Sequence, residues 1–191
     1  MSPCKYCLVV LATLLLADCG RVTPPQHKIL PRAVQEGNAF AAKGEWENAI
    51  AAYNKAIQDD RGCGLAYSNR GAAYCALGHY DQGIADCTDA IRLGERAALR
   101  KRGLCYYKKG ALDKAMRDLD GAIRFDRKDV VAYTYRGMVS AGLGDYDKSI
   151  SDYDVAIRLD GTFALAYNNR GSAWCLRKNN LNKFYFRGES V

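Results

Sequence analysis

The chain has 191 residues, 49% hydrophobic and 26% charged, with a formal net charge of +7. That composition excludes a low-complexity or strongly polar chain and leaves either one globular domain or a short repeat array with a buried core. The positive charge admits nucleic acid, an anionic membrane surface or an acidic peptide as partner, and by itself it selects none of them.

Residues 1–18 read as an export segment. MSPCKYC carries the amino terminus and Lys5, LVVLATLLLA runs apolar from Leu8 to Ala17, and LADC closes the segment at Cys19. An apolar run of about ten suits the h-region of a signal and is too short to span a bilayer. The segment resembles a bacterial lipoprotein signal, in which Leu16, Ala17, a small residue and a lipid-bearing Cys form the cleavage box. The resemblance implies Cys19 as the lipidation site and a membrane anchor through that lipid. Asp18 stands where Gly, Ala or Ser is usual, so a simple secretory peptide with a soluble periplasmic or secreted product stays open, as does a buried N-terminal helix. Gly20, rather than Asp, implies by the same resemblance a periplasm-facing outer-membrane lipoprotein of the bacterial cell envelope. TPPQHK and Pro31 then make residues 19–29 a linker.

From residue 30 onward the chain repeats. Gly44, Gly78, Gly110 and Gly144 are each followed two residues later by Trp46, Tyr80, Leu112 and Tyr146, then by Glu47, Asp81, Asp113 and Asp147. Ala56, Ala90, Ala122 and Ala156 each precede an isoleucine, and successive spacings are 34, 32 and 34 residues. A fixed period of this length signals a repeat architecture. Within the second unit Tyr67, Gly71 and Tyr74 share one helical face, and Ile84, Cys87, Ala90 and Ile91 share another. Gly78 sits where a helix ends in a left-handed residue, and Asp81 falls in the first turn of the next helix, near its positive end.

These units resemble tetratricopeptide repeats (TPR). The resemblance implies an all-α, right-handed superhelical solenoid of antiparallel helix pairs: four complete repeats at 30–63, 64–95, 96–129 and 130–163, then a partial fifth and tail at 164–191. Gly37, Gly71, Gly103, Gly137 and Gly171 hold position 8 of the repeat; Ala49, Gly83, Ala115 and Ser149 hold position 20. Departures are the missing Pro at position 32 (Arg61, Glu95, Arg127, Gly161) and a two-residue deletion near Gly94. AYSNRGAAY from Ala66 and AYNNRGSAW from Ala166 are then the same helix of two units, scaffold and not catalytic apparatus. The fifth unit is expected to break off after LRKNN, with Phe184, Tyr185 and Phe186 in a tail lacking helical period, acting as an improvised cap or a contact surface.

Arg70, Arg102, Arg136 and Arg170 fill position 7, and Asp86, Asp118 and Asp152 fill position 23; the first unit has Glu36 and Ala52 instead. Joint presence and joint absence point to ion pairs between the helices of a unit, with Asp152 as a candidate partner for Arg170. The TPR resemblance further implies that first-helix side chains at positions 2, 5, 9, 12 and 13 line a concave groove. That wall is mostly small and apolar, with one basic centre in LRKRGLCYYKKG, where Arg100 and Lys108 beside Tyr107 either suit a carboxylate or form a solvated charged face. Thr134 and Asn168 occupy the same groove positions in later units. Asn38, Asn69 and Lys101 resemble three corners of the carboxylate clamp of chaperone-binding repeats, with Val34 and Ala97 replacing two expected lysines. Asn69 and Asn169 resemble an asparagine ladder, interrupted by Lys101 and Tyr135.

Of the eight cysteines, Cys4 and Cys7 lie in the leader, and Cys63, Cys75, Cys87, Cys105 and Cys175 fall where small apolar residues fit; Cys87 and Cys105 are the nearest candidates for pairing. No Cys or His spacing suggests a metal, and no cofactor motif appears. His27 in the linker, His79 in a turn and the Asp59–Asp60 pair at a helix end offer no catalytic set. The sequence therefore points to a non-catalytic scaffold or adaptor that binds a protein or peptide, acidic by preference and not nucleic acid, in its concave groove. The alternative is a module that self-associates through its uncapped fifth unit into a homo-oligomer.

Overall fold

The computed structural model describes residues 30–187, with side chains to residue 180; the export segment and Cys19 lie outside the described residues. Among the described residues nine helices follow one another: α1 (Arg32–Ala42), α2 (Trp46–Asp59), α3 (Gly64–Ala76), α4 (Tyr80–Arg92), α5 (Ala98–Lys108), α6 (Leu112–Phe125), α7 (Val130–Gly142), α8 (Tyr146–Leu159) and α9 (Ala164–Arg187). Odd-numbered helices are first helices of units and even-numbered ones second helices. The described chain is an all-α solenoid of about four repeats.

Each of the first four helix pairs is turned by a glycine in the left-handed region: Gly44 at φ 76°, Gly78 at 83°, Gly110 at 82° and Gly144 at 83°. The residue after each glycine donates its N–H to a carbonyl five residues back, as in Glu45 to Phe40 and Asp145 to Ser140, which satisfies a carbonyl the helix end leaves orphaned. In the fifth unit Lys178 stands at the turn position. Without a residue that tolerates positive φ, the helix does not reverse, and α9 continues to Arg187. The expected break after LRKNN is thereby corrected: residues 184–186 lie within a helix.

Positions 8 and 24 form the seam within each unit. A Cβ on Gly37 would come within 2.4 Å of the Tyr53 ring, one on Gly71 within 2.8 Å of Cys87 Sγ, one on Gly103 within 3.0 Å of Leu119, and one on Gly137 within 2.7 Å of Tyr153. In the second unit the two helices come closer still, since a Cβ on Gly83 would lie 2.8 Å from the Gly71 carbonyl oxygen. Tyr53, Cys87, Leu119 and Tyr153 are all buried there.

Successive units join in two ways. At the three full-length joints Asp60, Asp126 and Asp160 each accept the N–H two residues on with a side-chain oxygen, at 2.8 to 2.9 Å, making the bend a proline would have preset. The shortened joint instead uses Gly94 at φ 90°. Neighbouring first helices touch one another, whereas among the described residues neighbouring second helices do not. The array therefore curves with its first helices on the inside.

Candidate binding face on the first helices

Residues at position 7 are fastened before any partner arrives. Arg70 donates from Nε and Nη2 to both oxygens of Asp86 at 2.7 Å, and Arg102 and Arg136 grip Asp118 and Asp152 in the same bidentate way at 2.6 to 2.9 Å. The pairs expected from sequence thus form, and they are largely buried rather than solvated. Each Arg also reaches back with Nη1 to position 25 of the preceding unit: Arg70 to Asn54, Arg102 to Thr88, Arg136 to Asp120 and Arg170 to Asp154. Arg170 therefore pairs with Asp154 at 2.7 Å and not with Asp152, whose oxygens Arg136 already holds. A tyrosine three residues earlier lies 5.4 Å beneath the guanidinium in units two, four and five. These contacts sew α3, α5 and α7 each to two second helices, and α9 to α8 alone. Carboxylate hydrogen bonds raise the pKa of Arg70, Arg102 and Arg136, so they stay charged.

The inner side carries a second hydrogen-bonded row. Tyr53 Oη and Asn69 Nδ2 both donate to Asn38 Oδ1 at 2.8 Å, and Lys101 Nζ donates to Asn69 Oδ1 at 2.5 Å. Asn38, Asn69 and Lys101, the three residues that matched corners of a clamp, are brought together as neighbours across three units. Burial pushes the Lys101 ammonium below the usual lysine range, with Arg100 adding repulsion and Cys87 and Glu95 opposing it. One Asn38 oxygen serving two donors fixes the row's geometry from two sides.

Other expected groove residues divide. Lys108 is exposed, while Tyr107 is half-buried against the core around Leu119 and Val139. Arg100 is not a free cation: its Nε lies 2.9 Å from Asp129 Oδ2, and Asp129 in turn caps α7 by accepting the Ala132 N–H. Thr134 is fully buried and its hydroxyl donates to the Val130 carbonyl, so it presents nothing to a partner. Position 5 is thus an inter-unit packing site in this array, as Val34 and Ser68 show by being fully buried. Asn168, at the same position, is exposed, and among the described residues no later unit packs on it. Asn169 is half-buried, with its Nδ2 lacking an acceptor. Burial raises the Tyr135 phenol, which interrupts the asparagine column, with Arg100 near enough to oppose the shift.

Three thiols meet behind this face. Cys105 lies against both Cys75 and Cys87, all three buried and unbridged, and these neighbours together with burial hold its pKa far above the thiol range. Cys105 thus has two thiol neighbours, where sequence reasoning paired it only with Cys87. The position-25 acceptors and the Tyr53 to Asn38 link were also missed. Their signal was available as a polar residue at position 25 of every complete unit: Asn54, Thr88, Asp120 and Asp154.

Among the described residues no helix is long and apolar enough to cross a membrane, and no three His, Cys, Asp or Glu side chains converge as a metal site.

Residues 37–84 match the family model described as TPR repeat, and residues 69–130 the one described as tetratricopeptide repeat. The small glutamine-rich tetratricopeptide repeat-containing protein of Dictyostelium discoideum is 38% identical over 64 residues, which is 34% of this chain and 19% of that protein. YrrB, described as a TPR protein with an unusual peptide-binding site, superposes with a TM-score of 0.59 at 24% identity, covering 77% of each chain. The first TPR of Spaghetti (RPAP3), bound to the HSP90 peptide SRMEEVD, gives a TM-score of 0.56 at 23% identity over 59% of this chain and 93% of that one. At these identities the two structures share the fold. This chain spans about a fifth of the length of the curated relatives it matches.

Proposed function

We propose, with tetratricopeptide repeats recognised between residues 37 and 130 as the premise, that the chain is a non-catalytic adaptor. It holds an extended or helical segment of another protein along the inner face of its first helices. The observation that carries this reading is the row Tyr53, Asn38, Asn69 and Lys101, whose amides and ammonium are already aligned by hydrogen bonds across three units. Preset polar groups spare a partner part of the ordering cost of binding. An acidic segment suits the face, because exposed Lys108 supplies positive charge while Arg100 is occupied by Asp129. The peptide held by the Spaghetti domain is acidic too, and that support is fold-level analogy.

Fluorescence anisotropy tests the reading with SRMEEVD and its Glu→Gln counterpart as probes. The acidic probe is expected to bind in a salt-sensitive way, and Lys108→Glu to weaken it about tenfold with helical content unchanged. Equal binding of both probes, or indifference to Lys108→Glu, removes the acidic-peptide reading.

The proposal includes export and lipid anchoring at Cys19, supported by the apolar run and LADC box. Fatty-acid labelling lost in Cys19→Ser is the expected result; unlabelled wild-type chain in a soluble fraction would return the reading to a periplasmic or secreted protein. A second reading, self-association through the fifth unit, is favoured by the exposure of Tyr167 and Trp174 on α9. Light scattering over a concentration series separates it from a monomeric adaptor.

A further inference from the structure

The last described unit carries an unfilled copy of the seam that closes the four units before it. In the four complete units the position-8 glycine is met by Tyr53, Cys87, Leu119 or Tyr153 from the second helix, yet among the described residues nothing lies within 4 Å of a Cβ built on Gly171. Tyr167 and Trp174, at i−4 and i+3 from Gly171, share its helical face and are 42% and 50% exposed. Arg170 donates Nη1 to Asp154. Among the described residues no carboxylate meets the Nε and Nη2 edge that grips an Asp in Arg70, Arg102 and Arg136. An empty glycine seat, two uncovered rings and an open guanidinium fork thus stand together, in register with a seam built four times below them.

We infer that this face of α9 is a second binding site, distinct from the inner face, which accepts an amphipathic helix from another polypeptide and completes the fifth unit in trans. Register defines the helix's chemistry. It carries Ala, Gly or Ser, then three places on an Asp for the Arg170 fork, and next to it a Tyr, Leu or comparable side chain for the Gly171 seat, as α8 does with Ser149, Asp152 and Tyr153. Charge complementarity and continuity with the existing seam both select that pattern. A folded second copy has none to offer among the described residues, because its Asp86, Asp118 and Asp152, and the seat residues beside them, are buried in its own array.

The probe is a helix-stapled peptide of the α8 sequence, YDKSISDYDVAIRL, titrated against the full chain and followed by fluorescence. Saturable binding is expected, weakened tenfold or more by Asp152→Asn in the probe and by Gly171→Leu in the chain. Because a side chain at Gly171 meets open space, Gly171→Leu folds normally by circular dichroism while blocking the seat. Gly171→Leu is also expected to leave SRMEEVD binding unchanged, which keeps this site separate from the inner face. Absence of saturable binding, or affinity unchanged in Gly171→Leu, overturns the inference. So does a dimer of the chain alone that Gly171→Leu converts to monomer, since the seat would then belong to a second copy.

Discussion

Replacing Gly137 by Ala and, separately, Gly171 by Ala makes the same chemical change at the same position of two units, with opposite expected outcomes. At Gly137 the new methyl falls 2.7 Å from Tyr153 Cε1 and 3.0 Å from its Cδ1 and Cζ. The ring is 2% exposed and cannot swing into solvent. Overpacking of this kind costs about 1–3 kcal/mol, offset by roughly 0.5–1 kcal/mol from relieving a glycine in a helix interior. A net loss of about 1–2 kcal/mol follows, or about 3–6 °C in Tm for a chain of this size. At Gly171 only the gain applies, so α9 is stabilised by up to about 1 kcal/mol. Urea denaturation by circular dichroism gives the Gly137→Ala value, and amide exchange within α9 reads the Gly171→Ala value, since the ends of repeat arrays open locally. Combining Gly137→Ala with Tyr153→Leu should recover part of the loss, because the flexible side chain of Leu119 occupies the corresponding place in unit three. Equal effects at Gly137 and Gly171, or no recovery in the double variant, would refute the seam argument.

Asp152→Ala leaves the Arg136 fork without its main acceptor and is expected to cost about 1.5–3 kcal/mol. Asp154→Ala, at an exposed single contact, should cost less than about 1 kcal/mol; urea midpoints of the two variants check the order. Burial pushes the Tyr153 phenol up to about 12 from an ordinary 10. The unfolded chain therefore ionises first, and stability that is whole below pH 10 falls as pH rises toward 12, by roughly 2–3 kcal/mol from this group. Unfolding midpoints between pH 9 and 12 should decline less steeply in Tyr153→Phe. Among the described cysteines, maleimide should label exposed Cys175 first, Cys75 slowly, and Cys87 and Cys105 only after unfolding, as mapped by peptide mass.

The helix pairs, their glycine turns and the Arg–Asp pairs were legible because each is set by local periodicity or by two positions that vary together within one unit. The row from Tyr53 to Lys101 was only half legible. Its members were singled out as clamp corners, but the bonds between Asn38, Asn69 and Lys101 span 31 or 32 residues and depend on the pitch between units, which no single unit encodes. Thr134 misled for a related reason, since its burial depends on the next first helix and not on its own. Arg100 looked free because Asp129, its partner, first declares itself as a helix cap. In α9 the missing turn glycine at Lys178 is visible in the sequence, and a helix already begun continues to Arg187 without apolar periodicity beyond that point.

The acceptors at position 25 change in kind along the array, from the neutral Asn54 and Thr88 to the carboxylates Asp120 and Asp154. Dissolved salt screens charged contacts and leaves neutral ones nearly untouched, the more so where side chains reach water. Ionic strength therefore acts unevenly on this one set of contacts: those to Asn54 and Thr88 hold, while those to Asp120 and Asp154, at the joints leading into the fourth and fifth units, weaken. A shift from dilute to concentrated medium would loosen the position-25 stitches at the last two joints and leave those at the first two set.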